Sequence, residues 1–241
     1  MTRLDDPARA PRARTAPAWP RLPCVGSIAE AVEALALQLP LPHASADYLA
    51  EAEAARARWP EAVWQRPGKP DKFCLGPRAH PEDWARYQAA CPKTLATAER
   101  LIAALADQAV EVSFGDILDY QGEQLLGWHQ DNMDTGRHLF TAVLTLSAEG
   151  EGRFEWREIT EGGRSLGSVV ASARPGAGDL AIHGLGCNNA LAHRAFWDCG
   201  RRVALVLFCR SPEMEAHVRA RGMESKITMR HWWSKEFETT K

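Results

Sequence analysis

The 241-residue chain has no long hydrophobic run: no window of about 18 consecutive apolar residues occurs, so no membrane-spanning helix is expected. Its six cysteines, Cys24, Cys74, Cys91, Cys187, Cys199 and Cys209, form no C-x-x-C pair. That spacing excludes zinc-ribbon and thioredoxin-type sites and leaves free thiols as the expectation. Neither charge sign dominates. Lys+Arg 29 against Asp+Glu 31 gives a formal net charge of −2, so no overall positive field draws the protein to nucleic acid or anionic lipid. Neither G-x-G-x-x-G nor G-x-x-x-x-G-K is present, which removes the common nucleotide-binding loops, and no internal repeat is found. The first 20 residues lack the apolar core of a secretory signal, and a cytoplasmic protein is expected.

With 45% apolar and 25% charged residues, the chain has the composition of an ordinary globular domain that can bury a core. Residues 1–22 hold five Arg and four Pro with few aliphatic side chains, and are expected to form a flexible arm. The remainder, 23–241, is expected to be a single domain. Ser27-Ile28-Ala29-Glu30 has capping-box form, followed by apolar residues at helical spacing (Ile28, Val32, Leu35, Leu39) up to Pro40. Residues 45–58 and 92–109 repeat the helical signature, so 27–109 reads as mostly helical. From Val110 the pattern changes to short runs broken by Gly: Glu111 to Tyr120, Leu139 to Ser147, Arg153 to Arg157, Leu166 to Ala171, Asp179 to His183 and Val203 to Cys209. Consecutive short strands over 110–210 argue for a sandwich or barrel. Residues 211–241 read as a closing segment with a helix over Glu213 to Arg221.

Chemistry concentrates at Trp128-His129-Gln130-Asp131. Residues two apart on a strand share a face, so His129 and Asp131 present an imidazole and a carboxylate side by side. A later His would complete a two-His-one-carboxylate triad, which suits Fe(II) and leaves positions open. His193 is the candidate, with His183 as its rival. Nine residues after His193, Arg202 opens the run Val203-Ala-Leu-Val-Leu-Phe208, which is apolar on both faces and reads as a buried strand. A guanidinium there needs a carboxylate partner, and a dicarboxylate ligand would supply one. Arg201 is the alternative, since period-two geometry turns only one of the pair inward.

His129, Asp131, His193 and Arg202, in that order, together with Gly176-Ala-Gly178-Asp179-Leu-Ala-Ile182 before the distal His, resemble the Fe(II)- and 2-oxoglutarate-dependent oxygenases of the double-stranded β-helix type. The resemblance covers about residues 110–210. It implies an α+β fold: a double-stranded β-helix (jelly-roll) core with the N-terminal helices packed on it. It further implies iron held by His129, Asp131 and His193, Arg202 clamping the far carboxylate of 2-oxoglutarate, and O2 as co-reactant. Hydroxylation or demethylation is implied over halogenation, because halogenating relatives carry a small residue in place of the Asp131 carboxylate.

Tyr120, nine residues before His129, is similar to the Tyr of the Asn-x-Tyr element in AlkB-like demethylases, which touches the cosubstrate. Here Leu118 holds the Asn position and has no polar group to offer. Arg210 lies eight residues after Arg202, where those demethylases place a second Arg six residues on. The spacing from His193 to Arg202 looks more like the prolyl-hydroxylase branch, and the two branches stay open. Near-neutral charge favours a small-molecule substrate over nucleic acid. A reading from a different class is a non-enzymatic, cupin-like protein that binds metal or a small ligand. Cupins draw more of their ligands from His, and the Arg nine residues after the distal His discriminates against them.

Overall fold

The computed structural model describes residues 37–58, 67–75, 89–106, 111–131, 140–160, 165–184, 190–210, 216 and 230–231. In chain order they form β1 (Leu37–Gln38), α1 (Ser45–Arg58), β2 (Asp71–Leu75), α2 (Pro92–Ala106), β3 (Glu111–Gln121), β4 (Gln124–Gln130), β5 (Phe140–Thr160), β6 (Ser165–Ala173), β7 (Asp179–Gly184), β8 (Leu191–Arg210) and β9 (Arg230–His231).

Two long strands, β5 and β8, organise the molecule because each changes partners halfway along. The first half of β5 pairs with β7 and with the second half of β8, whose other edge pairs with β3. The second half of β5 pairs with β6 and with the first half of β8, whose other edge pairs with β4. The result is two antiparallel four-stranded sheets, β7-β5-β8-β3 and β6-β5-β8-β4, sharing their two central strands. This is a double-stranded β-helix, extended by β1 and β2 at the outer edges of the first sheet.

The crossing from one sheet to the other occurs at a glycine pair. Gly150 lies opposite Gly200, with φ of 88° and 80° respectively. A Cβ on Gly200 would sit 2.2 Å from the Glu149 carbonyl oxygen, and one on Gly150 would sit 2.1 Å from that of Cys199. Both the left-handed backbone and the space demand glycine. Gly200→Ala is expected to cost at least about 3 kcal/mol, read as a lower urea midpoint. An unchanged midpoint would mean that this corner is not closely packed.

The strand Val203 to Cys209 is buried along its whole length, as its two-faced apolar run requires. One face looks into the barrel, and α1 packs against β5 and β8 from outside. Buried polar groups fasten this helical layer. The Glu51 carboxylate on α1 accepts hydrogen bonds from the Lys93 and Thr94 amides, both at 2.8 Å, and so caps the N-terminus of α2. Asp119 on β3 accepts two bonds from the Arg201 guanidinium, at 3.0 and 2.9 Å, and one from Arg56 of α1.

The sequence pattern and the fold differ in places. The helix expected to run to Leu39 gives way at its end to β1, because the free edge of β7 takes up Leu37 and Gln38 and the Leu39 amide bonds the Gly178 carbonyl at 2.8 Å. The start of that expected helix, including Ser27, lies outside the described residues. The half expected to be helical also holds β2, five residues that complete the edge beside β3 and are too short to declare a period. The runs expected as separate strands at 139–147 and 153–157 are one strand, β5, bent at Gly150. Of the helix expected over 213–221 only residue 216 is described, and it is helical.

Candidate metal centre

His129 is the last residue but one of β4, and Asp131 follows directly after the strand. Cross-strand pairing sets His129 opposite His193 at the start of β8, after a register irregularity that follows Leu126. The two imidazoles lie with centroids 4.2 Å apart. Each turns Nε2 toward the same carboxylate: His129 is 3.6 Å from one Asp131 oxygen and His193 is 3.6 Å from the other. That separation is too long for a hydrogen bond, yet two ligands about 2.1 Å from one ion span it. The three residues are buried, and their donor atoms lie within 4.8 Å of one another. His129 Nδ1 lies 2.6 Å from the Gly127 carbonyl, a contact that fixes the proton on Nδ1 and leaves the Nε2 lone pair facing the centre. The donor set fits a divalent ion that accepts imidazole and carboxylate ligands.

Burial, reinforced by the neighbouring His129 and His183, holds the His193 imidazole well below its usual 6.5 and therefore neutral, which is its ligating form. The same burial sets a pH dependence for the metal-free protein. As the pH falls below about 6.5 the unfolded chain takes up a proton that folded His193 refuses. Stability is full above that value and declines by up to about 1.4 kcal/mol per pH unit beneath it. Melting temperatures measured in chelator from pH 8 to pH 5 check this. A flat profile would mean that His193 is not buried as described.

His183 directly follows the Gly178-Asp179-Leu-Ala-Ile182 run, where the oxygenases that the sequence resembles carry an apolar residue. It lies on β7 opposite Thr141, is buried, and sits 4.4 Å from the His193 ring, tilted by 41°, although it is not part of the group of three donors. Phe154 is parallel to His193 within 13°, at 5.6 Å, and tilted against His183 at 5.3 Å.

The two arginines at the head of the apolar run face opposite ways, as period two requires. Arg201 points outward to Asp119 and to Glu53 of α1. Arg202 points inward and is 2% exposed; it bonds the Thr145 hydroxyl at 3.0 and 3.3 Å and lies over the rings of Tyr120 and Trp197 at 5.4 and 5.9 Å. Among the described residues no carboxylate pairs with Arg202. Tyr120 is its cross-strand neighbour, 1% exposed, and its hydroxyl has no hydrogen-bond partner among the described residues. Burial pushes this phenol up to about 12 against the pull of Arg202, so it is a neutral donor at physiological pH. A pocket beside Arg202 is lined by Val143, Thr145, Phe154 and Asp179, with Arg174 also on its wall. Phe154 thus borders both the pocket and His193.

Sequence reasoning did not find Phe154 or Arg174, neither of which sits in a motif. Thr145 shares a face of β5 with Thr141 and Val143 by period-two alternation, a pattern that fits a barrel-facing threonine and ordinary sheet packing equally. Trp128 and Trp197 belong to the packed interior: Arg194 and Arg157 cover the Trp128 ring at 4.6 and 5.2 Å, and Trp197 donates to the Glu149 carbonyl at 2.9 Å. His138, seven residues beyond Asp131 and expected from the sequence as a surface His at a strand start, and Asn132, in a loop expected to wall the pocket, lie outside the described residues.

No protein-family model and no curated sequence matches the chain. Solved structures similar to it include EvdMO1, at 14% identity and a TM-score of 0.52, over 73% of this chain and 46% of that one. They also include a Pseudomonas putida prolyl-4-hydroxylase, at 19% identity and a TM-score of 0.47, over 76% of this chain and 98% of that one. A third is SnoN, a non-heme alpha-ketoglutarate-dependent epimerase from nogalamycin biosynthesis, at 16% identity and a TM-score of 0.45, over 72% of this chain and 76% of that one. These likenesses are to the fold, a double-stranded β-helix that carries in this chain a buried His-Asp-His group able to hold a metal ion.

Proposed function

We propose that the protein is an Fe(II)- and 2-oxoglutarate-dependent oxygenase that hydroxylates a C–H bond of a small molecule, with release of succinate and CO2. The observation that carries this reading is Arg202, a buried guanidinium with no carboxylate partner among the described residues, facing the same interior as the His129, Asp131 and His193 donors. A buried cation left in that state is costly unless a ligand supplies the anion. A dicarboxylate answers both features, with one end at the metal and the other at Arg202.

Iron, when bound, would supply the activation of O2, and the chain's own residues would do the rest. His129, Asp131 and His193 would hold the ion on one side and leave the other open. Arg202 would grip the distal carboxylate with two parallel N–H donors, and the Thr145 hydroxyl keeps its fork in place. Tyr120 would donate its unused O–H to the same carboxylate. The apolar walls, Val143 and Phe154 among them, would exclude water from the reacting centre.

A screen for succinate release in the presence of Fe(II), 2-oxoglutarate and O2 tests the reading across amino acids, nucleobases and methylated oligonucleotides. Substrate-dependent succinate is expected from a member of the first two groups. Release with methylated oligonucleotides alone would turn the reading to an AlkB-like demethylase. None with any class, in a protein that binds metal but not 2-oxoglutarate, would favour a cupin-like binding protein.

A further inference from the structure

We infer that Arg174 captures 2-oxoglutarate at the mouth of the Arg202 pocket and speeds its binding by electrostatic attraction. This rests on the 2-oxoglutarate reading above. Two guanidiniums line one pocket: Arg202 buried, and Arg174 exposed to solvent. Neither has an ion-pair partner among the described residues. Two cations converging on one cavity repel one another, and an anion between them removes the cost. The pocket's acidic group, Asp179, favours the Arg202 charge while accepting a hydrogen bond from the Gly176 amide at 2.7 Å, but one carboxylate against two guanidiniums leaves the lining net positive.

That engagement also anchors the backbone next to Arg174. The turn from Gly176 to Asp179 closes on itself through the Asp179 amide and the Gly176 carbonyl at 3.1 Å. It is pinned on both sides, since the Gly178 amide bonds the Thr145 carbonyl at 2.8 Å and the Gly178 carbonyl accepts from the Leu39 amide at 2.8 Å. Gly178 has φ of 91°, and a Cβ there would lie 2.5 Å from the Leu39 carbonyl oxygen, so the turn has little room to shift. Arg174 and Pro175 lead directly into this anchored turn. The anchored turn therefore keeps the Arg174 backbone beside the pocket that Thr145 and Arg202 line. The exposed Arg174 guanidinium meets a dianion in water before Arg202 meets it in the interior.

A dianion about 8 Å from a guanidinium in water gains enough to raise its local concentration about fivefold, and salt removes most of that gain. The test is stopped-flow tryptophan fluorescence on the Mn(II)-loaded full chain mixed with 2-oxoglutarate. Trp197, beside Arg202, is one of the reporters. Arg174→Gln should slow association about fivefold and Arg174→Glu about 25-fold at ~20 mM salt, with dissociation unchanged and the differences nearly gone at ~0.5 M. Equal association rates in all three proteins, with 2-oxoglutarate still bound, would overturn the role of Arg174 and leave the functional reading standing. Faster dissociation at an unchanged association rate would overturn it too, since that marks a contact made only in the bound state. Failure of the unsubstituted protein to bind 2-oxoglutarate would overturn the functional reading and this inference with it.

Discussion

Arg202→Ala is expected to weaken 2-oxoglutarate binding by about 10² to 10³, the consequence of losing about 3 to 4 kcal/mol when a desolvated carboxylate is left without its partner. The neighbouring Arg201 provides the contrast. Its guanidinium is spent on Asp119 and Glu53 at the surface of the barrel, so Arg201→Ala should leave 2-oxoglutarate affinity nearly unchanged. The two residues should separate again in the ligand-free protein. Arg202→Met exchanges a buried cation without a carboxylate for an apolar side chain of similar length, and its melting temperature should equal or exceed that of the unsubstituted chain. Arg201→Met removes two of the bonds that Asp119 accepts in fastening the helical layer, and its melting temperature should fall. Equal losses of affinity in the two alanine variants would contradict the inward assignment of Arg202.

The second large effect concerns the donors. Removing only a group that orients a ligand commonly costs 10- to 100-fold in metal affinity, so removing a ligand itself should exceed about 100-fold. Anaerobic Fe(II) titration of His129→Ala, Asp131→Ala and His193→Ala should each show this loss. His183→Ala should retain most of the affinity, since His183 stands beside His193 but outside the cluster of donor atoms. Metal binding that survives His193→Ala and is lost in His183→Ala would exchange their roles.

Much of the barrel was legible because its signals are local. Alternation and Gly breaks mark β3, β6 and β7, and the run from Val203 marks the inner half of β8. The H-x-D pair was legible for the same reason, as two residues on one short stretch. Partner exchange was not legible. That β5 and β8 each continue through a glycine corner into a second sheet depends on pairing between residues some 50 apart, such as Gly150 with Gly200. Only that continuity puts His193 and Arg202, nine residues apart on one strand, against a common interior bordered by Phe154. β1 and β2 escaped for a related reason: each is short and exists because an edge of β7 or β3 was open to it. His183 shows the limit of family pattern, since it fills an expected apolar position with an imidazole that only the fold places against His193.

The most direct test of the account is an absorption titration carried out without oxygen. Fe(II) and 2-oxoglutarate added together should give a weak visible charge-transfer band that neither gives alone, because the band requires both to be held at one centre. It should be absent in Asp131→Ala and should appear in Arg202→Ala only at about 10² to 10³ higher 2-oxoglutarate. A protein that binds Fe(II) at His129, Asp131 and His193 yet shows no band at any 2-oxoglutarate concentration would contradict the account.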